Sequence, residues 1–200
     1  MVMDSRTRLV EATQDLLWEQ GYSATSPKDI MRRSGAGQGS MYHHFTNKQE
    51  LAVVALECSA HSMRHDTEKL LATDGSAYEI ATAYLRRQRD VLKGCRMGRM
   101  TFDADVLNTP ELIEPVKRTF VWLLEALTVL FERGRDQGEF AADIDARNLA
   151  SLVVATVQGG YVLARATRDT DAFDAAVEGA AALLRKATVP LTTEASDHSE

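Results

Sequence analysis

The apolar residues of this chain recur at intervals of three and four almost from end to end, a spacing that builds helices and little else. No stretch alternates with the period of a strand, and no segment repeats another. Breaks divide the periodic runs at Gly21, Ser34-Gly35-Ala36-Gly37, Asp74-Gly75-Ser76, Gly94 to Gly98, Gly134 to Gly138 and Asp169 to Asp171. The first run, Arg6 to Gln20, ends at Gly21. A second starts at Thr25-Ser26 with Pro27 in its first turn and Asp29 at the positive helix end, and runs only to about Arg33. A third short helix fits Gln38 to His44. Asn47 and Glu50, three apart, read as a capping box opening a long helix over Lys48 to Leu71. The pattern then predicts helices over 77–93, 99–106, 110–135, 147–167 and 172–186, with a loose tail from Thr192 to Glu200.

Composition narrows the function classes. Hydrophobic residues at 44% and charged residues at 26% suit a globular core. No apolar run approaches the ~20 residues a membrane span needs. Met1 to Arg8 is charged and lacks the apolar stretch of an export leader. The two cysteines, Cys58 and Cys95, form no disulfide framework, which points to a cytoplasmic protein. A net charge of −6 argues against a general polyanion binder. Its distribution is uneven, because residues 1–48 carry six basic side chains against five acids, a net +1, leaving −7 for the remaining 152.

The two helices joined by the turn at residues 34–37 have helix-turn-helix spacing. A reading helix must be short, exposed on one side and rich in hydrogen-bonding groups to enter the DNA major groove. Gln38, Gly39, Ser40, Tyr42, His43 and His44 meet that demand, while Met41 and Phe45 face inward. By itself the pattern is equally that of a solvated linker helix in another bundle.

Further residues narrow the choice. Gly21-Tyr22-Ser23-Ala24-Thr25-Ser26, Asp29-Ile30, Ser34-Gly35-Ala36, Gly39-Ser40-Met41-Tyr42-His43-His44-Phe45 and Lys48-Gln49-Glu50-Leu51 follow one another at fixed spacing. Over residues 6–55 this closely resembles the DNA-binding domain of the tetracycline-repressor (TetR) family. The resemblance implies an all-α chain with a three-helix helix-turn-helix head over residues 1–48, its motif at 26–45. A helical ligand-binding and dimerisation domain would occupy 49–190, with an acidic flexible tail over 191–200. It also implies a homodimer on palindromic operator DNA, acting as a repressor released by a small-molecule inducer. One departure is Ala36-Gly37, where the family usually has a larger aliphatic residue and then a polar one.

Roles carry over by position. Thr25, Ser26 and Lys28 fall where backbone amides and short side chains meet a phosphate. Tyr42 and His44 would clamp the DNA backbone, with Lys48 adding a point charge. Gln38, Gly39, Ser40 and His43 would lie nearest the base edges, and Gln38 can pair bidentately with adenine.

For the rest of the chain the sequence offers candidates with a plainer reading beside each. Ser151, Ala155 and Gly159 lie four apart, and with Ala180 and Leu184 of the last helix they make a candidate dimer seam. Gly160 and Ala164 repeat the interval. The same residues could instead pack within one protomer. Met63, Tyr84, Met97, Met100, Phe102, Phe120, Leu123, Leu127, Gln158 and Tyr161 are candidate ligand-cavity residues, or ordinary core. Arg86, Arg87 and Arg89 could receive an anion, or form a solvated face. Cys95, beside Arg96 and Arg99, is the candidate for a redox or electrophile switch, although the sensor-like relatives place a lysine where this chain has Arg165. Cys58 reads as buried. No metal-ligand spacing, nucleophile elbow or phosphate loop is present, so neither an enzyme, a cofactor nor a metal site is expected.

Overall fold

A computed structural model describes residues 4–189 as ten helices: α1 Ser5–Gln20, α2 Pro27–Ser34, α3 Gln38–His44, α4 Lys48–Leu71, α5 Ala77–Arg86, α6 Arg96–Met100, α7 Ala104–Asn108, α8 Pro110–Asp136, α9 Ala146–Thr167 and α10 Asp171–Ala187. The tail expected at 191–200 lies outside these residues. The starts follow local chemistry. The Asp4 carboxylate accepts from Thr7 N at 2.7 Å, and Ser26 with Asp29 closes a capping box at α2. Asn47 accepts from Glu50 N at 2.9 Å, and the Glu50 carboxylate accepts from Thr46 N at 2.6 Å. The turn between α2 and α3 begins at Gly35, whose φ of 66° belongs to the left-handed region that glycine enters without a Cβ penalty. Ala36 packs into the head's core, so the smaller residue at this point still closes the turn.

Two apolar clusters hold the chain together. One joins Leu9, Leu16, Ile30, Met41, Phe45, Leu51 and Leu56 to Met97, Met100, Val106, Leu112 and Val116. The head's core is therefore shared with the body: α6, α7 and the start of α8 complete it. The other cluster lies among α5, α8, α9 and α10, around Tyr84, Leu127, Phe131, Phe140, Val157, Phe173 and Leu184. Both α4 and α8 contribute residues to the two clusters, and that makes them the beams between head and body.

Three expectations need correction. The fifth helix stops at Arg86 instead of running to Lys93. Arg89 folds back there, its guanidinium donating to the carbonyls of Tyr84 at 2.5 Å, Leu85 at 2.7 Å and Arg87 at 2.8 Å. Those carbonyls belong to the last turn, where a cation is favoured. The single helix expected over 99–106 is two, separated at Asp103, whose carboxylate caps α7. Finally, α9 is long and apolar enough to span a bilayer by length and mean hydropathy, which the sequence reading denied. Its apolar faces pack against α8 and α10.

The α9–α10 packing turns on Gly160. A Cβ there would sit 2.8 Å from Phe173 Cδ2, and the Phe173 ring is itself buried against Tyr161, 5.0 Å between centroids. At an open helical position alanine is favoured over glycine by about 1 kcal/mol. Here the sign reverses: Gly160→Ala should lower stability to urea by about 1–2 kcal/mol through overpacking. A variant as stable as the parent would mean that Phe173 yields freely.

Candidate nucleic-acid interface and effector cleft

Helix α3 stands on Met41, fully buried, and on Phe45 just beyond its end. Burying these two turns the other side outward: Gln38, Gly39, Tyr42 and His43 are exposed, Tyr42 at 49%. Ser40 and His44 are half-buried, and His44 Nε2 shares a hydrogen bond with Ser5 Oγ at 2.9 Å. At the start of α2, Lys28 is exposed. Ser26 is occupied by its capping box, and its hydroxyl and its backbone N–H both donate to the Asp29 carboxylate, holding Asp29 below the usual carboxylate range.

Two proposed phosphate contacts are drawn elsewhere. Thr25 is 2% exposed, its hydroxyl donating to Gly21 O at 2.6 Å. The Lys48 ammonium donates to Tyr22 O at 3.1 Å and Thr25 O at 3.0 Å, and lies 3.8 Å from the Tyr22 ring centroid. Burial draws it below the ordinary lysine value, an effect that Asp105 and Asp103 oppose. Both residues brace the α1–α2 loop from inside. A run of turn residues in a sequence does not reveal which polar groups the loop's own carbonyls will capture.

The same loop is tied to the body. Ser23 N donates to Asp103 Oδ2 at 2.9 Å, and Ser23 Oγ lies 2.6 Å from Asp103 Oδ1 and 2.8 Å from Asp105 Oδ2. A second tie starts from α1. The Trp18 indole N–H donates to Gly94 O at 2.9 Å, with Arg96 stacked 4.1 Å and Lys93 4.8 Å from its ring centroid, while Arg96 pairs with Asp15 at 3.3 Å. None of these was anticipated from sequence. The one available signal was Trp18 itself, an indole off the apolar face of α1 that requires an acceptor.

Beside that tie opens a cleft of about 560 Å³, within the range of small-molecule sites. Glu11, Gln14 and Asp15 of α1 line it, with Ser59, Ser62, Met63 and Asp66 of α4 opposite. The segment after α5 adds Arg87, Arg89, Asp90, Gly94, Cys95 and Arg96, and α9 adds Tyr161. Arg87 is fixed by a hydrogen bond to Thr67 Oγ1 at 3.0 Å and by stacking 4.6 Å from the Tyr84 ring centroid. Burial pushes the Tyr161 hydroxyl up to about 12, so it enters as a neutral donor or acceptor. Cys95 Sγ accepts from Gly98 N at 3.3 Å and caps α6.

Of the ten residues proposed for a cavity, the cleft gathers Met63 and Tyr161. Tyr84 lies beneath Arg87; Leu123 and Leu127 are core of the body, and Met97 and Met100 are core shared with the head. Phe120 and Gln158 are half-buried, Gln158 against Gly98. Phe102 is 76% exposed, carried outward on the turn between α6 and α7. Arg86 is paired with Glu178 at 2.5 Å instead of facing a ligand. Cys58 is exposed on α4, contrary to its expected burial.

The proposed seam also splits. Ser151, Ala155 and Gly159 face outward from α9, with Leu163 one turn on. Ala180 and Leu184 turn into their own protomer's core, as do Gly160 and Ala164. The neighbouring Gly179 and Leu183 take the outer face of α10. Small-residue spacing alone does not separate the face of α10 that its own protomer buries from the face left outward.

Residues 9–55 match the family profile described as bacterial regulatory proteins, tetR family, and residues 75–180 match the tetracyclin repressor-like, C-terminal domain. An uncharacterized HTH-type transcriptional regulator of Bacillus subtilis (strain 168), YxaF, is 24% identical over 190 residues, spanning 92% of this chain and 96% of its own. The crystal structure of a TetR transcriptional regulator from Chloroflexus aurantiacus is similar at a TM-score of 0.82 and 27% identity, over 92% of this chain and 96% of its own. CifR, a TetR family regulator crystallised with double-strand operator DNA, shares the fold at a TM-score of 0.76 and 21% identity, over 91% and 97% of the two chains. The chain belongs to the TetR family of helix-turn-helix transcriptional regulators, which bind operator DNA and are not enzymes.

The two lysines should separate in a salt titration. Lys28→Ala should reduce the slope of log affinity against log salt by about one, because one fewer counterion is released. Lys48→Ala should weaken binding with the slope unchanged, since it loosens a loop without removing a phosphate partner. Equal slopes for Lys28→Ala and the parent would contradict the first assignment.

Proposed function

We propose that the protein is a homodimeric repressor released from a palindromic operator by a small-molecule inducer. The observation that carries this reading is that one element, α1, belongs to both the DNA-reading head and the wall of the cleft. Asp15 lines the cleft, and Trp18 holds the loop that forms the cleft's edge. A ligand that shifts this loop therefore acts on the head, and operator binding resists the same shift, so each weakens the other. Residues 1–48 act as the head and 49–190 as the sensing and dimerising part. The seam is made by Ser151, Ala155, Gly159 and Leu163 of α9 with Gly179 and Leu183 of α10, whose small residues permit close approach. Gly159→Leu fills the open side of α9 and should shift sedimentation from dimer to monomer at micromolar concentration.

A second reading is a thiol switch through Cys95. It is supported by the position of Cys95 on the cleft and by the sulfur's role as the cap of α6. Cys95→Ser keeps a capping oxygen and removes the thiol chemistry. The inducer reading expects this variant to release operator on inducer as the parent does. Release by mild peroxide or a quinone in the parent but not in Cys95→Ser would establish the switch instead.

The direct test is to select the operator from a random duplex pool and measure variants against it. Gln38→Ala should lose about 1–3 kcal/mol and relax the preference at one base position per half-site. Tyr42→Phe should weaken specific and random duplexes alike. A uniform loss in Gln38→Ala would make Gln38 a positioning residue.

A further inference from the structure

Next to the cleft, with Arg165 packed beside Gly94, lies a separate pocket of about 290 Å³. The end of α1 supplies Gln20 and Gly21, the α6–α7 segment Arg99, Phe102 and Asp103, and α9 Val162 and Arg165. In the single protomer Phe102 is exposed at the mouth, at 76%, and Val162, beside Leu163 on the α9 face that carries the proposed seam, at 50%. Two guanidiniums share the pocket, and among the described residues neither lies within 4.0 Å of a carboxylate, although nine other close ion pairs form across the chain. Arg99 Nε is buried with no hydrogen-bond partner. The one acid present, Asp103, is already engaged by Ser23 N, by Ser23 Oγ and by the amide groups that open α7. Burial and then the nearby Arg165 disfavour the Arg99 charge while Asp103 favours it, and an anion between the two arginines would favour it further.

We propose that this pocket is an effector site for an amphipathic monocarboxylate, its head group held by Arg99 and Arg165 and its apolar chain lying on Phe102 and Val162. A guanidinium fork matches a carboxylate bidentately, and the exposed apolar pair gives the chain a surface to cover. The site touches the end of α1 at Gln20 and the Ser23–Asp103 tie at Asp103, so occupancy acts on the head through contacts other than the Trp18 tie. The assignment stands independently of the inducer reading, because binding can be measured without DNA.

The experiment titrates the intact protein with octanoate by calorimetry, with sulfate and octan-1-ol as the anion-only and chain-only probes. Octanoate should bind saturably, at least tenfold tighter than either control. Arg165→Gln, an exposed position, should weaken octanoate at least tenfold without changing the thermal midpoint, and Phe102→Ser should weaken it severalfold. Cys95→Ser, in the other cleft, should leave octanoate affinity unchanged. Sulfate binding as tightly as octanoate, octanoate affinity indifferent to Arg165→Gln, or no saturable binding would each overturn the proposal.

Discussion

Trp18 has an amphipathic problem that the rest of the molecule is arranged to solve. Its ring is half-buried near the end of α1, and its N–H cannot be left without an acceptor in that setting. The acceptor is Gly94 O, on a segment that is neither helix nor part of the head. That segment is free to approach only because α5 has stopped at Arg86, and α5 stops where Arg89 takes up its last carbonyls. The length of one helix, the edge of a cleft and the orientation of the reading head thus depend on one another.

The shared core makes the dependence mechanical. Met97, Met100, Val106, Leu112 and Val116 pack on Leu9, Ile30 and Met41, so the head rides on the body's helices. Close-packed interiors move between discrete arrangements and deform little within each. Two hydrogen-bonded ties, at Ser23 and at Trp18, bridge that interface, and hydrogen bonds of this kind contribute about 0.5–1.5 kcal/mol each. A tenfold change in operator affinity requires only ~1.4 kcal/mol. Changing one tie is therefore commensurate with a useful regulatory response.

Much of this was legible in the chain and some was not, for reasons that differ by residue. The helix starts at Ser26, Asn47 and Ser76 are local signals, set by side chains reaching three residues ahead. The outward set on α3 follows from the two residues that must be buried, Met41 and Phe45. Arg89 looked like a continuing helix residue because its capping role depends on a reversal of the chain. Thr25 and Lys48 occupy family phosphate positions, yet their polar atoms are taken by carbonyls of the neighbouring loop. Ala180 and Leu184 are small or apolar at the right interval, but periodicity does not say whether such a face meets its own protomer or another. The cleft was the least visible, since it lies between elements far apart in sequence.

On the proposed mechanism the hydrogen bond from Trp18 to Gly94 makes the reading head and the 87–96 segment move as one unit. This coupling is tested most directly by amide hydrogen exchange with and without operator DNA selected from a random pool. Operator should slow exchange across residues 87–96 in the parent, although none of them belongs to the reading head. In Trp18→Phe, which keeps a ring and loses the donor, that protection should fall severalfold while α3 remains protected. Exchange in this segment that ignores operator in the parent, or full protection in Trp18→Phe, would show that Trp18 does not couple the segment to the head.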